Sequence, residues 1–109
     1  MTFDNYEKKA AKLSILSDEL GFDFYVLALA GEVGEIAEKT KKILREQRIP
    51  TDTEWEDMAK ELGDVLWYLS NMTHKFLKGK KLSDIAQMNL DKLTSRKKRD
   101  KVFGKGDNR

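Results

Sequence analysis

Two acidic pairs, Glu32-Val-Gly-Glu35 and Glu61-Leu-Gly-Asp64, are the residues of this chain best suited to chemistry. Each lies inside a strongly apolar segment with helical periodicity, where a carboxylate is costly unless its charge is compensated. Residues three apart on a helix occupy neighbouring flanks, so each pair aims two carboxylates at one point in space. Brought together, the pairs would form a hard, all-oxygen site suited to Mg²⁺, with Mn²⁺ also possible. Such a site implies metal-assisted work on a phosphate compound.

Absences narrow the chemistry. There is no cysteine, which removes disulfides, thiolate zinc sites and cysteine nucleophiles. No glycine-rich P-loop is present to cradle phosphate on backbone amides. No Ser-His arrangement offers covalent catalysis. A di-iron bundle needs Glu-x-x-His motifs, and neither acidic pair has a suitably placed histidine. The one histidine, His74, lies away from the acidic flank of its helix and is assigned a surface role.

Four amphipathic segments must position the carboxylates. The first is expected from Thr2 or Asp4 to Ser17, with Phe3, Tyr6, Ala10, Leu13 and Leu16 at helical spacing. The second spans Asp23 to Arg45; Val26, Leu29, Ala30, Val33, Ile36, Ala37, Thr40 and Leu44 form one apolar stripe. A loop holding the only proline, Pro50, precedes Thr53-x-x-Glu56, which reads as a capping box. The third segment ends near Phe76, with Met58, Leu62, Val65, Leu66, Leu69, Met72 and Phe76 directed inward. The fourth starts at a cap on Ser83 and carries Ile85, Ala86, Leu90 and Leu93. Short loops between such helices favour antiparallel neighbours, so the expected fold is an all-α four-helix bundle. Residues 1–96 form the helical domain and 97–109 an irregular basic tail.

At 100° per residue, Glu61 and Asp64 share one flank of the third helix with Asp57, Tyr68, Asn71 and Lys75. Glu32 and Glu35 lie beside the stripe of the second helix, near Lys39 and Lys42. Asn89, Lys92 and Arg96 line one edge of the fourth. Three polar seams could thus border one cleft, with carboxylates for cations and amide, lysine and arginine donors for phosphate oxygens. Trp67 falls about 170° from the inward stripe of its helix. An exposed tryptophan there would mark an interface, so self-association is expected to complete the bundle.

The net charge of +2 hides an asymmetry, since residues 96–109 carry +5 and the remainder −3. An acidic body with a basic tail suits a metal-polyphosphate site. Nucleic-acid binding by the tail is the weaker alternative, because no groove-reading motif accompanies it. No signal peptide and no apolar run of about 20 residues is seen, so a cytoplasmic protein without a membrane partner is expected.

Leu29-Ala-Gly-Glu-Val-Gly-Glu-Ile-Ala-Glu38, followed by Lys60-Glu-Leu-Gly-Asp-Val-Leu-Trp-Tyr-Leu69, resembles the MazG-like nucleotide pyrophosphohydrolases of the all-α NTP pyrophosphatase superfamily. Asn89-x-x-Lys92-x-x-x-Arg96 and the closing Gly-Lys-Gly-Asp-Asn-Arg extend the resemblance over nearly the whole chain. Where many relatives carry a further acidic residue before the first pair, this chain has Gly31. The resemblance implies Mg-dependent hydrolysis of a nucleoside triphosphate, often a deoxynucleotide, between the α and β phosphates. It implies Glu32, Glu35, Glu61 and Asp64 as metal ligands, with a glutamate of the first pair (Glu32 or Glu35) as the catalytic group on water. Lys92 and Arg96 would hold phosphate oxygens and Asn89 sugar or phosphate, with Lys39 and Tyr68 also substrate-binding candidates. A homodimer or homotetramer is implied as well. The alternatives are a non-catalytic nucleotide-binding module and a helical interaction module.

Overall fold

The structure is a computed structural model that describes residues 1–98. Four α-helices follow one another: α1 (Phe3–Lys12), α2 (Phe22–Arg45), α3 (Asp52–Phe76) and α4 (Leu82–Lys98). α3 is the hub. α2 packs on it from one side, α1 and α4 from the other, and α1 also meets α4. The all-α, four-helix expectation holds among the described residues. α4 runs to Lys98, two residues past the expected domain boundary, and residues 99–109 of the expected tail lie outside the described residues.

Local chemistry explains where the helices start. Thr2 accepts from the Asn5 amide and caps α1. The α3 capping box is Thr51 with Glu54, two residues earlier than the expected Thr53 and Glu56. Glu54 is better placed because its carboxylate also takes two bonds from the Arg48 guanidinium, at 2.6 and 2.9 Å. Arg48 further donates to Glu46 at 2.7 Å, which ties down the turn in which Gln47 adopts φ +53°. α1 ends at Lys12 rather than Ser17, because Ser14 and Ser17 turn their hydroxyls to backbone amides two residues on.

Ser83 does not cap α4. It sits in the first turn and donates to Asp4 Oδ1 at 2.8 Å, while Asp84 accepts from the Lys81 amide. The buried Leu82 amide is satisfied across the fold by Glu7 of α1, at 2.6 Å. The other oxygen of Glu7 meets His74 Nδ1 at 2.9 Å, so the half-exposed His74 fastens α1 to α3. One carboxylate thereby joins three helices.

Tyr25 is the centre of an aromatic cluster between α2 and α3, with edge-to-face contacts to Phe76 at 5.4 Å and Tyr68 at 6.2 Å. The Lys75 ammonium lies 5.3 Å from the Tyr25 and Phe76 ring centres and donates to the carbonyls of Asp18 and Leu20. Lys75 therefore closes the α1–α2 connection rather than joining the acidic flank.

The apolar stripes do not face where their hydropathy points. On α2, Tyr25, Leu29, Ile36 and Ile43 turn toward α3, whereas Val26, Val33 and Leu44 remain 42%, 50% and 71% exposed. On α3, Leu62 and Leu69 are exposed while Ser70, Asn71 and Thr73 are buried. Asn71 and Thr73 tolerate burial by bonding to carbonyls of their own helix, Trp67 O and Leu69 O. Trp67 is half-buried with its ring edge-on to Tyr68, so the exposed-tryptophan argument fails at that residue. Exposed apolar side chains are spread over the described helices and loops, among them Leu27, Val33 and Leu44 of α2, Trp55 and Leu62 of α3 and Leu90 of α4.

Candidate metal centre

Antiparallel packing of α2 on α3 sets the two acidic pairs side by side. Glu32, Glu61 and Asp64 each supply one carboxylate oxygen to a group whose members all lie within 4.8 Å of one another. Three anions this close repel unless a cation lies between them. Glu32 Oε2 and Glu61 Oε2 are fully shielded from solvent and have no hydrogen-bond partner. An orphaned, buried carboxylate oxygen is an expensive arrangement, and a hard divalent cation relieves it. The donor set fits Mg²⁺ or Mn²⁺.

Charge crowding appears in the protonation of each member. Burial, followed by the charges of Glu35, Asp64 and Glu61, pushes the Glu32 carboxyl above the ordinary glutamate value. Glu35 is also held up, first by the hydrogen bond it makes as an acid to Glu61 and then by the charge of Glu61. Glu61 moves the other way because the Lys39 ammonium donates to its Oε1 at 2.8 Å. Lys39 is held protonated by that same bond. The cluster thus sets one carboxylate lowered by an ammonium beside two raised by burial and by their neighbours' charges.

Of the expected substrate-binding residues, two are at the cluster. Lys39 is bonded to Glu61, and Tyr68 has its phenol held up by burial and then by the charge of Glu32. Asn89, Lys92 and Arg96 lie on α4, which packs on α1 and α3 and not on α2. Asn89 is exposed, Lys92 half-buried and Arg96 buried, with only 3% of its surface accessible. Beside the carboxylates a cleft of about 510 Å³ is lined by Gly31, Gly34, Glu35, Glu38, Lys39 and Glu61. Its glycine floor brings backbone to the surface, and a Cβ on either glycine would meet nothing within 4 Å.

Sequence reasoning missed Tyr6, whose phenol is held up by burial and then by the charge of Asp64. It also borders a hollow of about 180 Å³ with Phe3 and Leu66. Its helical spacing with Phe3 and Ala10 reads simply as core, and only the packing of α1 on α3 brings it near Asp64.

Residues 14–101 match the MazG nucleotide pyrophosphohydrolase domain, a stretch that spans both acidic pairs and the polar seams of α2, α3 and α4. The chain belongs to the MazG family. It is 43% identical over 90 residues to the Gene 37 protein of Mycobacterium phage L5, covering 82% of this chain and 77% of that protein. No solved structure is a significant match. In this MazG domain no described helix is long and apolar enough to cross a membrane.

Proposed function

We propose that this MazG domain is a Mg²⁺-dependent nucleoside triphosphate pyrophosphohydrolase that converts (d)NTP to (d)NMP and pyrophosphate. The observation that carries the reading is the convergence of Glu32, Glu61 and Asp64 with two orphaned oxygens, next to a cleft floored by glycine. Held by Glu32, Glu61 and Asp64, a divalent cation would supply charge neutralisation for the polyphosphate and Lewis acidity toward the α-phosphate.

The protein groups divide the remaining work. Glu32, Glu61 and Asp64 are the principal metal ligands, with Glu35 available to a second ion. Glu35, exposed at the cleft and raised in basicity by its bond to Glu61 and the charge of Glu61, orients the attacking water and accepts its proton. The water oxygen forms a bond to the α-phosphorus, the bond to the α–β bridging oxygen breaks, and pyrophosphate leaves with that electron pair. Lys39 exchanges its bond to Glu61 for a phosphate oxygen as substrate arrives. The Tyr68 phenol, kept neutral, donates to substrate from the Glu32 side. Asn89, Lys92 and Arg96 contact sugar and the β/γ phosphates in the assembled enzyme. A homodimer or homotetramer acting in the cytoplasm completes the reading, supported by the apolar surface that a single copy leaves in water.

A panel of NTPs and dNTPs with and without Mg²⁺ tests it, with monophosphate, pyrophosphate and phosphate separated. Metal-dependent monophosphate plus pyrophosphate is expected. A second reading, a module that binds nucleotides without cleaving them, draws on Gly31, where many relatives have another acid. Tight binding of intact dNTP with no product over hours would select it.

A further inference from the structure

One face of α2 reverses its charge along its length. Gly31, Glu35, Glu38, Lys42 and Arg45 follow one another at alternating steps of four and three, which keeps them within about 40° of a single line down the helix. A glycine and two acids occupy the half beside the metal ligands, and two cations occupy the half toward the α2 C-terminus. The cleft beside the carboxylates does not end at Glu38. Glu38 and Lys39 also border a second hollow of about 290 Å³, which Lys41, Lys42 and Arg45 complete. A further hollow of about 220 Å³ lies on the α3 side of Lys39 and Lys42, against Ile43, Glu54 and Asp57. All of these spaces share Lys39, so they form one groove that leaves the carboxylate cluster along α2.

The cations of the groove are not equally committed. Lys39 is bonded to Glu61 at 2.8 Å and Lys41 to Glu38 at 3.1 Å. Arg48, the next cation along, is held by Glu46 and Glu54. The side chains of Lys42 and Arg45 are exposed and make no hydrogen bond or ion pair among the described residues. Helical side chains lean toward the N-terminus, so both long stems carry their charge back toward Glu35 and Glu61. Cations in a last turn also complement the helix dipole. That role needs only nearness to the helix end and does not account for two unpaired cations lining a groove that opens on a metal centre.

We infer that Lys42 and Arg45 bind the terminal phosphates of the nucleotide, so that the groove along α2 selects a triphosphate and receives pyrophosphate as it leaves. The inference rests on the pyrophosphohydrolase reading for the identity of the ligand and adds the α2 side of its binding site. Glu35 and Lys42 stand about 10 Å apart along the helix axis, and the backward lean shortens that gap to the scale of a triphosphate chain. With the α-phosphate at the Glu32, Glu61 and Asp64 cluster, the β- and γ-phosphates point down the groove. Breaking the bond between the α-phosphorus and the bridging oxygen leaves the electron pair on pyrophosphate, and the guanidinium and ammonium groups meet that growing charge. Arg45 offers a planar fork to two phosphate oxygens, and Lys42 a mobile point charge. A nucleoside diphosphate falls short of both, which is the source of the selectivity.

Lys42→Met and Arg45→Met test the assignment, with Lys9→Met on the exposed side of α1 as a charge-matched control. Both groove positions are exposed and unpaired, so helicity and thermal midpoint should match the parent. KM for dNTP is expected to rise about tenfold in each, the scale of one lost hydrogen bond to a charged group, and Lys42→Arg should restore most of the loss. Calorimetry with inorganic tripolyphosphate and Mg²⁺ should show each Met variant binding about tenfold more weakly, whereas deoxynucleoside monophosphate should bind all of them alike. Unchanged KM and unchanged tripolyphosphate affinity in both variants would overturn the inference and leave hydrolysis standing. An equal loss of monophosphate affinity would place the cations at the α-phosphate and overturn it as well, as would a parallel loss in Lys9→Met. A parent that binds tripolyphosphate through Lys42 and Arg45 yet yields no product would keep the phosphate site and remove the hydrolytic reading.

Discussion

Lys39 of α2 donates to Glu61 of α3 at 2.8 Å, so the ammonium stands where the acidic cluster most needs positive charge. The bond holds Glu61 below the ordinary glutamate value. A carboxylate lowered on folding adds stability above its unfolded pKa and loses it as pH falls through the folded value. Lys39→Met should therefore raise the Glu61 pKa, read by NMR titration, and lower the thermal midpoint at pH 7. The variant should also gain more stability from Mg²⁺ than the parent, because the cation no longer competes with an ammonium. An unmoved Glu61 titration would show that the bond does not operate in solution.

Glu32 and Glu35 carry the opposite sign. Both are raised on folding, so the native state binds more protons than the unfolded chain across the interval between unfolded and folded values. Stability then falls as pH rises through that interval, and the loss persists above it. Mg²⁺ should raise the thermal midpoint more at pH 7.5 than at pH 4, because low pH favours the protonated forms of the raised Glu32 and Glu35. Glu32→Gln should be more stable than the parent without metal and should lose most of the Mg²⁺ response. A metal response of equal size at both pH values would remove the carboxylates as its source.

The catalytic assignment separates chemistry from assembly. Glu35→Gln is expected to lower kcat by about 10²–10⁴, the range for loss of a positioned general base. Helicity and mass should be unchanged, since Glu35 is exposed. Asp64→Asn should abolish turnover by weakening metal binding, and excess Mn²⁺ should restore part of it. Full activity of Glu35→Gln would pass the base role to another group, with Glu32 the nearest alternative.

The helices and the acidic pairs were legible because both depend on local spacing. Glu32, Glu61 and Asp64 converge as expected since three-residue spacing on antiparallel helices leaves little freedom. What failed was the inside–outside assignment. Val26, Val33, Leu62 and Leu69 read as core by hydropathy and are exposed, while Ser70 is fully buried. Periodicity reports that a face is apolar without saying whether its own chain or another covers it. Long-range capping was equally hidden. Nothing local to Glu7 indicates that its carboxylate will bond to Leu82, 75 residues away.

Glu7 offers a stability test independent of the metal centre. Glu7→Ala removes the acceptor of the buried Leu82 amide and the partner of His74, and should destabilise the fold by about 1–3 kcal/mol, the range for an orphaned buried donor. Glu7→Gln keeps an oxygen for Leu82 while losing the charge, so it should retain most of the stability. Urea unfolding checks both. Equal losses would mean that charge at the α4 N-terminus, rather than the hydrogen bond, is what Glu7 contributes.

Arg48 and Glu54 supply a pH signature far from the carboxylate cluster. The guanidinium, followed by the Thr51 amide, holds Glu54 down at about 2. By linkage, the contribution of Glu54 is complete above the unfolded value near 4.5 and disappears as pH falls toward about 2. Arg48→Ala should return Glu54 toward the ordinary range, so that α3 frays at its start at a higher pH than in the parent. Amide exchange at the α3 N-terminus should accelerate selectively between pH 3 and pH 5, conditions chosen to bracket the ordinary range, while exchange near Tyr25 stays slow. Faster exchange at both places would mean that the turn supports the whole α2–α3 pair rather than one helix end.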